Sequence, residues 1–166
     1  MDRRKSKKEK ILDAALTLFA DKGYDGIGMD EIADAVGMKG PALYHYFKGK
    51  EAILNELIGE ASGYYNKNFG ISENEKTVPE TMSEFIEMSL ARIEFTIHDP
   101  KIIKIRRLLA MEQFRNAKLK ELATLHHLTG VVNMNAFYFR ALSEKGKVKD
   151  YDPEILAFEF SAPVTL

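Results

Sequence analysis

The hydrophobic positions of this chain recur at helical spacing along most of its length. The first stretch has apolar side chains three and four residues apart, as on one face of a helix: Ile11, Ala14, Ala15, Leu18 and Phe19. This spacing predicts a helix from about Arg4 to Asp21, with Lys22 in its last turn and Gly23 at its end. Strand-like alternation is scarce, so the pattern predicts an all-α protein.

The next two predicted helices are short. One runs from Met29 to about Val36, has acidic residues in its first turn and ends at Gly37. The other starts near Pro41, a favourable first helical position, and runs to about Phe47. The small side chain of Ala33 lets the two helices cross closely. Two short helices joined by a tight turn that contains glycine are typical of a helix-turn-helix.

Longer helices are predicted for the rest of the chain, at about 50–66, 79–97, 100–116 and 118–145 and from 152 onward, with a polar loop at 67–78. The helix at 118–145 would span roughly 40 Å and is apolar on nearly all sides between Leu122 and Leu142. The helix at 79–97 is expected to bury Met82, Phe85, Ile86, Ser89, Leu90, Ile93 and Ile97. Because the last helical pattern is still running at Leu166, we expect a domain truncated at its C-terminus.

Composition narrows the class of protein. With 45% hydrophobic and 30% charged residues, the chain is expected to be globular with a buried core. It has no cysteine, which excludes a disulfide scaffold, a thiolate metal site and a cysteine nucleophile. No apolar run approaches the roughly 20 residues of a membrane helix, and no secretory signal is present. A cytoplasmic location is therefore expected.

The charge is unevenly distributed. The first ten residues carry six basic and two acidic side chains, although the net charge of the whole chain is only −1. A basic N-terminal arm indicates either a polyanionic partner or a solvated terminus, and charge alone leaves both readings open.

The exposed side of the second short helix carries the candidate binding chemistry. Its predicted surface residues are Gly40, Pro41, Ala42, Tyr44, His45 and Tyr46, followed by Lys48 and Lys50. Lysine and tyrosine side chains bind phosphate, and a small side chain such as that of Ala42 allows close approach to base edges. The alternatives are a helical hairpin with an aromatic core and a protein-interaction module that does not bind DNA.

Residues 10–54 resemble the DNA-binding domain of the TetR/AcrR family of bacterial transcriptional regulators. The resemblance lies in four segments: 11–15, 18–24, 29–33 and 42–51, the last of which reads Ala-Leu-Tyr-His-Tyr-Phe-Lys-Gly-Lys-Glu. The chain departs from the family pattern in two places. Ile27-Gly28 stands where threonine or serine is common before the second helix, and Lys39-Gly40-Pro41 stands where Ser-Lys-Gly is common.

The resemblance implies an N-terminal DNA-binding domain at 1–47, with its motif at about 28–47, and a helical ligand-binding and dimerisation domain at 48–166. It also implies a homodimer that represses transcription from a palindromic operator, in the cytoplasm and at the nucleoid when bound. A small effector would release the DNA by rotating the helix at 50–66. By position, the recognition contacts fall on the six surface residues at 40–46, Lys50 takes a phosphate contact, and Lys39 replaces the lysine missing at position 40.

The effector domain is rich in methionine and phenylalanine, which line adaptable apolar pockets but also form ordinary cores. The candidate pocket residues are Phe85, Met88, Met111, Phe114, His127, Met134 and Phe137. A lipophilic effector is expected, with Glu87, Glu94 and Glu112 as possible charged partners. Adjacent His126 and His127 point about 100° apart, which disfavours joint metal binding. No catalytic, metal or cofactor site is predicted.

Overall fold

The computed structural model describes residues 5–69, 78–148 and 151–165. Within these ranges every regular element is helical, which confirms the predicted all-α class. None of the helices in these ranges is long and apolar enough to cross a bilayer. The chain divides into two compact units, one formed by Met1–Gly63 and Pro100–Lys120, the other by Tyr64–Asp99 and Glu121–Leu166.

The first unit is built on α1, which packs against α2 and α6. Its helices are α1 (Lys7–Lys22), α2 (Met29–Ala35), α3 (Gly40–Leu43), α4 (Lys50–Phe69) up to residue 63, α6 (Pro100–Glu112) and the start of α7 (Ala117–Thr124). The sequence placed the start of α1 at about Arg4. The helix instead begins at Lys7, because Ser6 caps it: Ser6 Oγ accepts a hydrogen bond from the N–H of Glu9, whose Oε2 accepts one from the N–H of Ser6.

The second unit contains α5 (Met82–His98), a π-helical turn (Leu125–Thr129), α8 (Gly130–Glu144) and α9 (Pro153–Thr165), with the ends of α4 and α7. Its core is a cluster of buried side chains from α5, α8 and α9: Phe85, Met134, Ala136, Tyr138, Phe139, Leu142 and Ala157. The prediction for α5 was only partly right. Phe85 and Ser89 are buried, but Ile86, Leu90 and Ile97 are exposed because the helix carries more apolar positions than its single packed face covers.

Two other boundaries differ from prediction. Helix α4 continues to Phe69, so the predicted loop begins later than Lys67; residues 70–77 lie outside the described residues. The predicted helix at 118–145 is continuous but contains the π-helical turn. Gly130 permits that turn, since a Cβ there would lie 2.3 Å from the Leu125 carbonyl oxygen.

The two compact units do not coincide with the predicted boundary between residues 47 and 48. Residues 48–63 and 100–120 pack with the N-terminal helices, and Lys104 Nζ on α6 donates a hydrogen bond to Thr17 Oγ1 on α1 at 2.9 Å. Packing and function need not divide a chain at the same place, so the functional boundary stays a prediction.

Candidate nucleic-acid interface

A glycine turn sets the angle between α2 and α3. Gly37 has φ +67°, a conformation that side chains other than glycine rarely adopt. Its N–H bonds to the Asp34 carbonyl at 3.0 Å, and the N–H of Met38 bonds to the Ala33 carbonyl at 2.9 Å. This pair of bonds is a Schellman motif. The turn ends α2 and directs the chain into α3, which confirms the predicted helix-turn-helix.

Helix α3 is shorter than predicted. It ends at Leu43 rather than Phe47, and residues 44–46 form a turn. The N–H groups of Tyr46 and Phe47 both bond to the Leu43 carbonyl. Leu43 and Phe47 are buried, so they anchor the segment between them to the first unit. The side chains at 44–46 are thereby left on the surface.

Most of the predicted DNA contacts are exposed. The exposed ones are Lys39, Pro41, Tyr44, His45, Tyr46 and Lys48, while Gly40, Ala42 and Lys50 are half-buried. Tyr44 is 53% exposed, a large value for an aromatic side chain held beside a buried leucine. Anchoring by buried neighbours and exposure of aromatic and cationic tips are what a recognition segment requires.

Lys50 also has an internal partner. Its Nζ donates a hydrogen bond to the Tyr24 carbonyl at 2.7 Å and lies 4.3 Å from the centroid of the Tyr24 ring. The predicted phosphate contact by Lys50 stays a prediction, and it would have to share the ammonium group with Tyr24. No local pattern predicts this contact, because the two residues are 26 positions apart.

Glu112 also contacts the segment between α1 and α2, through the backbone of Tyr24. This carboxylate is 3% exposed, and its Oε1 accepts a hydrogen bond from the N–H of Tyr24 at 3.0 Å. Glu112 ends α6 and was considered above as a partner for an effector. The structure instead places it against the segment between α1 and α2, in the first unit.

Replacing Glu112 by alanine is expected to destabilise the protein by about 1–3 kcal/mol, since the N–H of Tyr24 would lose the acceptor of a partly buried hydrogen bond. Glu112→Gln keeps an acceptor oxygen and is expected to retain most of the stability. Urea unfolding of the two variants checks this. Equal stability of Glu112→Ala and the unsubstituted protein would contradict the assigned role.

The start of α2 shows the effect of the glycine at position 28. Gly28 has no side chain to cap the helix, so only the reverse half of a capping box forms, in which Glu31 Oε2 accepts the N–H of Gly28 at 2.9 Å. This hydrogen bond lowers the pKa of Glu31. No side-chain hydroxyl is available here for the phosphate contact that serine or threonine would provide.

The predicted effector-pocket residues fall into both units. Phe85 and Met134 belong to the buried core of the second unit, and Met88 and Phe137 pack against it. Met111 and Phe114 are exposed residues at the end of α6 in the first unit, so burial gives their predicted lining role no support. In the second unit, His127 Nε2 lies 3.4 Å from the Tyr65 hydroxyl. The pocket assignment as a whole stays a prediction.

His126 is the more unusual of the two adjacent histidines. It is 4% exposed, its ring stacks on Tyr65 at 4.2 Å between centroids, and neither ring nitrogen has a hydrogen-bond partner. Burial lowers the pKa of His126 below its ordinary value of 6.5. Among the described residues, no group of three or more potential ligands is arranged to hold a metal ion.

The low pKa of His126 predicts how stability depends on pH. Below pH 6.5 the unfolded chain takes up a proton on this histidine that the folded chain resists, so stability falls as the pH drops from 6.5 towards the lower folded pKa. The melting temperature should therefore fall less between pH 7.5 and 5.5 in His126→Phe than in the unsubstituted protein. His45→Gln, at an exposed site, serves as the control. An equal fall in all three proteins would contradict the assignment.

The anchored short helix, the glycine turn and the exposed aromatic and basic tips define a helix-turn-helix protein. Residues 11–57 match the model of the family described as bacterial regulatory proteins, tetR family. IcaR of Staphylococcus aureus (strain Newman), a negative transcriptional regulator of the icaADBC biofilm operon, is 39% identical over 67 residues. That alignment spans 40% of this chain but only 36% of IcaR.

Solved structures extend the likeness to the fold of nearly the whole chain. The fatty acid degradation regulator FadR from Bacillus halodurans aligns with a TM-score of 0.64 and 22% identity, over 99% of this chain and 82% of FadR. AibR, solved with isovaleryl coenzyme A and operator DNA, aligns with a TM-score of 0.68 and 21% identity, over 96% of this chain and 84% of AibR. Residues 11–57 are therefore similar to the tetR family, and nearly the whole chain shares the fold of these two regulators.

Proposed function

We propose that this protein is a sequence-specific DNA-binding transcriptional regulator that represses its target genes. The observation that carries the proposal is the surface formed by residues 39–48, where exposed lysine, tyrosine and histidine side chains flank a helix anchored by Leu43 and Phe47. The likeness to IcaR, a negative regulator, supports repression. The match of residues 11–57 to the tetR family model also favours a regulator over an enzyme.

The surface formed by residues 39–48 makes two kinds of contact with DNA, one to phosphates and one to base edges. Lys39 and Lys48 flank α3 and bind the phosphates on either side of the groove, which sets affinity but carries no sequence information. The exposed tips of Tyr44 and His45 lie between them and are placed to reach base edges. Half-buried Ala42 adds no bulk, so the backbone of α3 approaches the bases closely.

The proposed regulator is a homodimer of two copies of this chain. Large apolar side chains are exposed at Ile155 and Phe158 on α9 and at Tyr151 just before it. Exposed apolar side chains grouped in this way are typical of an interface, and a homodimer places two recognition helices over the two halves of a palindrome.

A small lipophilic effector would control DNA binding from the second unit, with α4 as the link because this single helix contributes residues to both units. The AibR structure supports control by a small-molecule effector, since that protein was solved with isovaleryl coenzyme A as well as operator DNA. The effector shifts the population of states only to the extent that it binds them with different affinity.

Titration of a labelled random-sequence duplex at several salt concentrations tests DNA binding itself. The proposal expects affinity that falls steeply between 50 and 200 mM salt, the mark of phosphate neutralisation. A protein-interaction module expects no such salt-dependent affinity, and that result would refute the proposal.

A further inference from the structure

The second unit contains a half-buried cation without a counter-ion among the described residues. Arg92 lies in the middle of α5, and its Nη1 is fully enclosed but has no hydrogen-bond acceptor. Its Nη2 donates to the Tyr138 hydroxyl at 2.8 Å, and the guanidinium carbon lies 5.0 Å from the centre of the Tyr138 ring. No carboxylate among the described residues forms an ion pair with Arg92.

The local sequence explains why no partner is near. One turn away in either direction along α5 are Met88, Ser89, Phe95 and Thr96, none of which is charged. The hydroxyls of Ser89 and Thr96 donate to backbone carbonyls of their own helix, Thr96 to that of Arg92 itself. They therefore supply no charge to balance the guanidinium.

Of two arginines in this unit, the exposed one has a carboxylate partner and the more enclosed one has none, which is the opposite of what would stabilise the fold most. The exposed Arg140 of the same unit is paired with Glu154, where an ion pair contributes little. The enclosed Nη1 of Arg92 is unpaired, where an unsatisfied donor is most costly. Enclosed polar groups left unsatisfied in this way are uncommon and require an explanation, and a ligand that supplies the missing acceptor is one.

We infer that Arg92 receives the anionic head group, a carboxylate or a phosphate, of the effector. This inference rests on the proposed function and specifies the chemical class of its effector. The planar guanidinium binds both head groups through charge-assisted hydrogen bonds. The Tyr138 hydroxyl holds Nη2 and so orients the side chain.

The surroundings of Arg92 suit an amphipathic anion. Half-buried Met88 is one turn before it on α5, and half-buried Phe137 adjoins Tyr138, with 5.5 Å between the two ring centroids. Both were predicted above to line an effector pocket. An amine of the same shape would be repelled by the unpaired guanidinium, so the head group, rather than the apolar body, determines which ligands bind.

The test uses the full chain and alkyl ligands of 6, 10 and 14 carbons, each as carboxylate, phosphate and amine. Isothermal titration calorimetry is expected to show at least one anion binding tenfold or more tightly than the amine of equal length. Comparing the affinity of the carboxylate with that of the phosphate of equal chain length shows which head group is preferred. Arg92→Gln should weaken that anion at least tenfold, whereas the matched control Arg140→Gln should leave it within twofold.

The stability of Arg92→Gln separates a ligand-binding from a structural role. Removing a half-buried charge that has no counter-ion should leave the melting temperature within about 4 °C of the unsubstituted value or raise it. A larger fall with an unchanged anion affinity would assign Arg92 to packing and overturn the inference. Should Arg92→Gln not fold, Arg92→Lys takes its place, since it keeps the charge but loses the planar fork and should still weaken the carboxylate.

Failure of this inference is distinguishable from failure of the proposed function. If the duplex titration shows salt-dependent DNA binding but no anion of the series binds more tightly than its amine, the inference alone is wrong. If no DNA is bound, the proposed function fails whatever the anions do.

Discussion

Replacing Lys39 and Lys48 together by alanine is expected to weaken binding of a random-sequence duplex about 30-fold at 0.15 M salt. Both side chains are exposed and neither has an ion-pair partner among the described residues, so both are available to phosphate. Each phosphate contact contributes about 0.9 to the slope of log affinity against log salt, so the slope should fall by about 1.8.

Fluorescence anisotropy of a labelled duplex over a range of salt concentrations measures both quantities. Lys67→Ala is the matched control, because it removes one exposed charge from the last turn of α4, far along the chain from the recognition segment. It should leave the slope unchanged. A double variant with the slope of the unsubstituted protein would exclude these two lysines from the interface.

Replacing Phe85 by alanine is expected to destabilise the second unit by about 3–5 kcal/mol. Phe85 is fully buried, and its ring lies 4.9 Å from that of Phe139 and 5.1 Å from that of Phe160, between ring centroids. Removing the ring leaves a cavity where α5, α8 and α9 meet, and a close-packed core relaxes only partly around such a cavity.

Thermal and urea unfolding measure the loss. Phe114→Ala is the control, since Phe114 is 87% exposed and its replacement should change the stability by no more than about 0.5 kcal/mol. A loss below 1 kcal/mol for Phe85→Ala would contradict the assigned core.

The sequence predicts most of the fold because the signals for it are local. Apolar spacing identifies the helices, and Gly23 and Gly37 identify helix ends that the structure confirms. The predictions that failed depend on longer-range packing. Spacing alone did not show that Ile86 and Leu90 lie outside the packed face of α5, nor that α4 continues past Asn66.

The recognition segment is predictable for a similar reason. Its residues lie within ten positions of one another, and the glycine turn fixes their arrangement. By contrast, the contacts that hold Tyr24 join Lys50 and Glu112, which are far apart in sequence. The unpaired state of Arg92 is likewise a tertiary property, although the uncharged residues one turn away on α5 are a signal that sequence reasoning overlooked.

Selection from genomic DNA tests most directly whether residues 39–48 read a DNA sequence. The full chain is incubated with sheared DNA of its host at two salt concentrations, and the bound fragments are sequenced. We expect enrichment of one short palindrome that survives the higher salt, with half-sites whose centres lie about one helical turn apart or a multiple of it. Fragments bound without enrichment, and lost on adding salt, would contradict sequence-specific recognition.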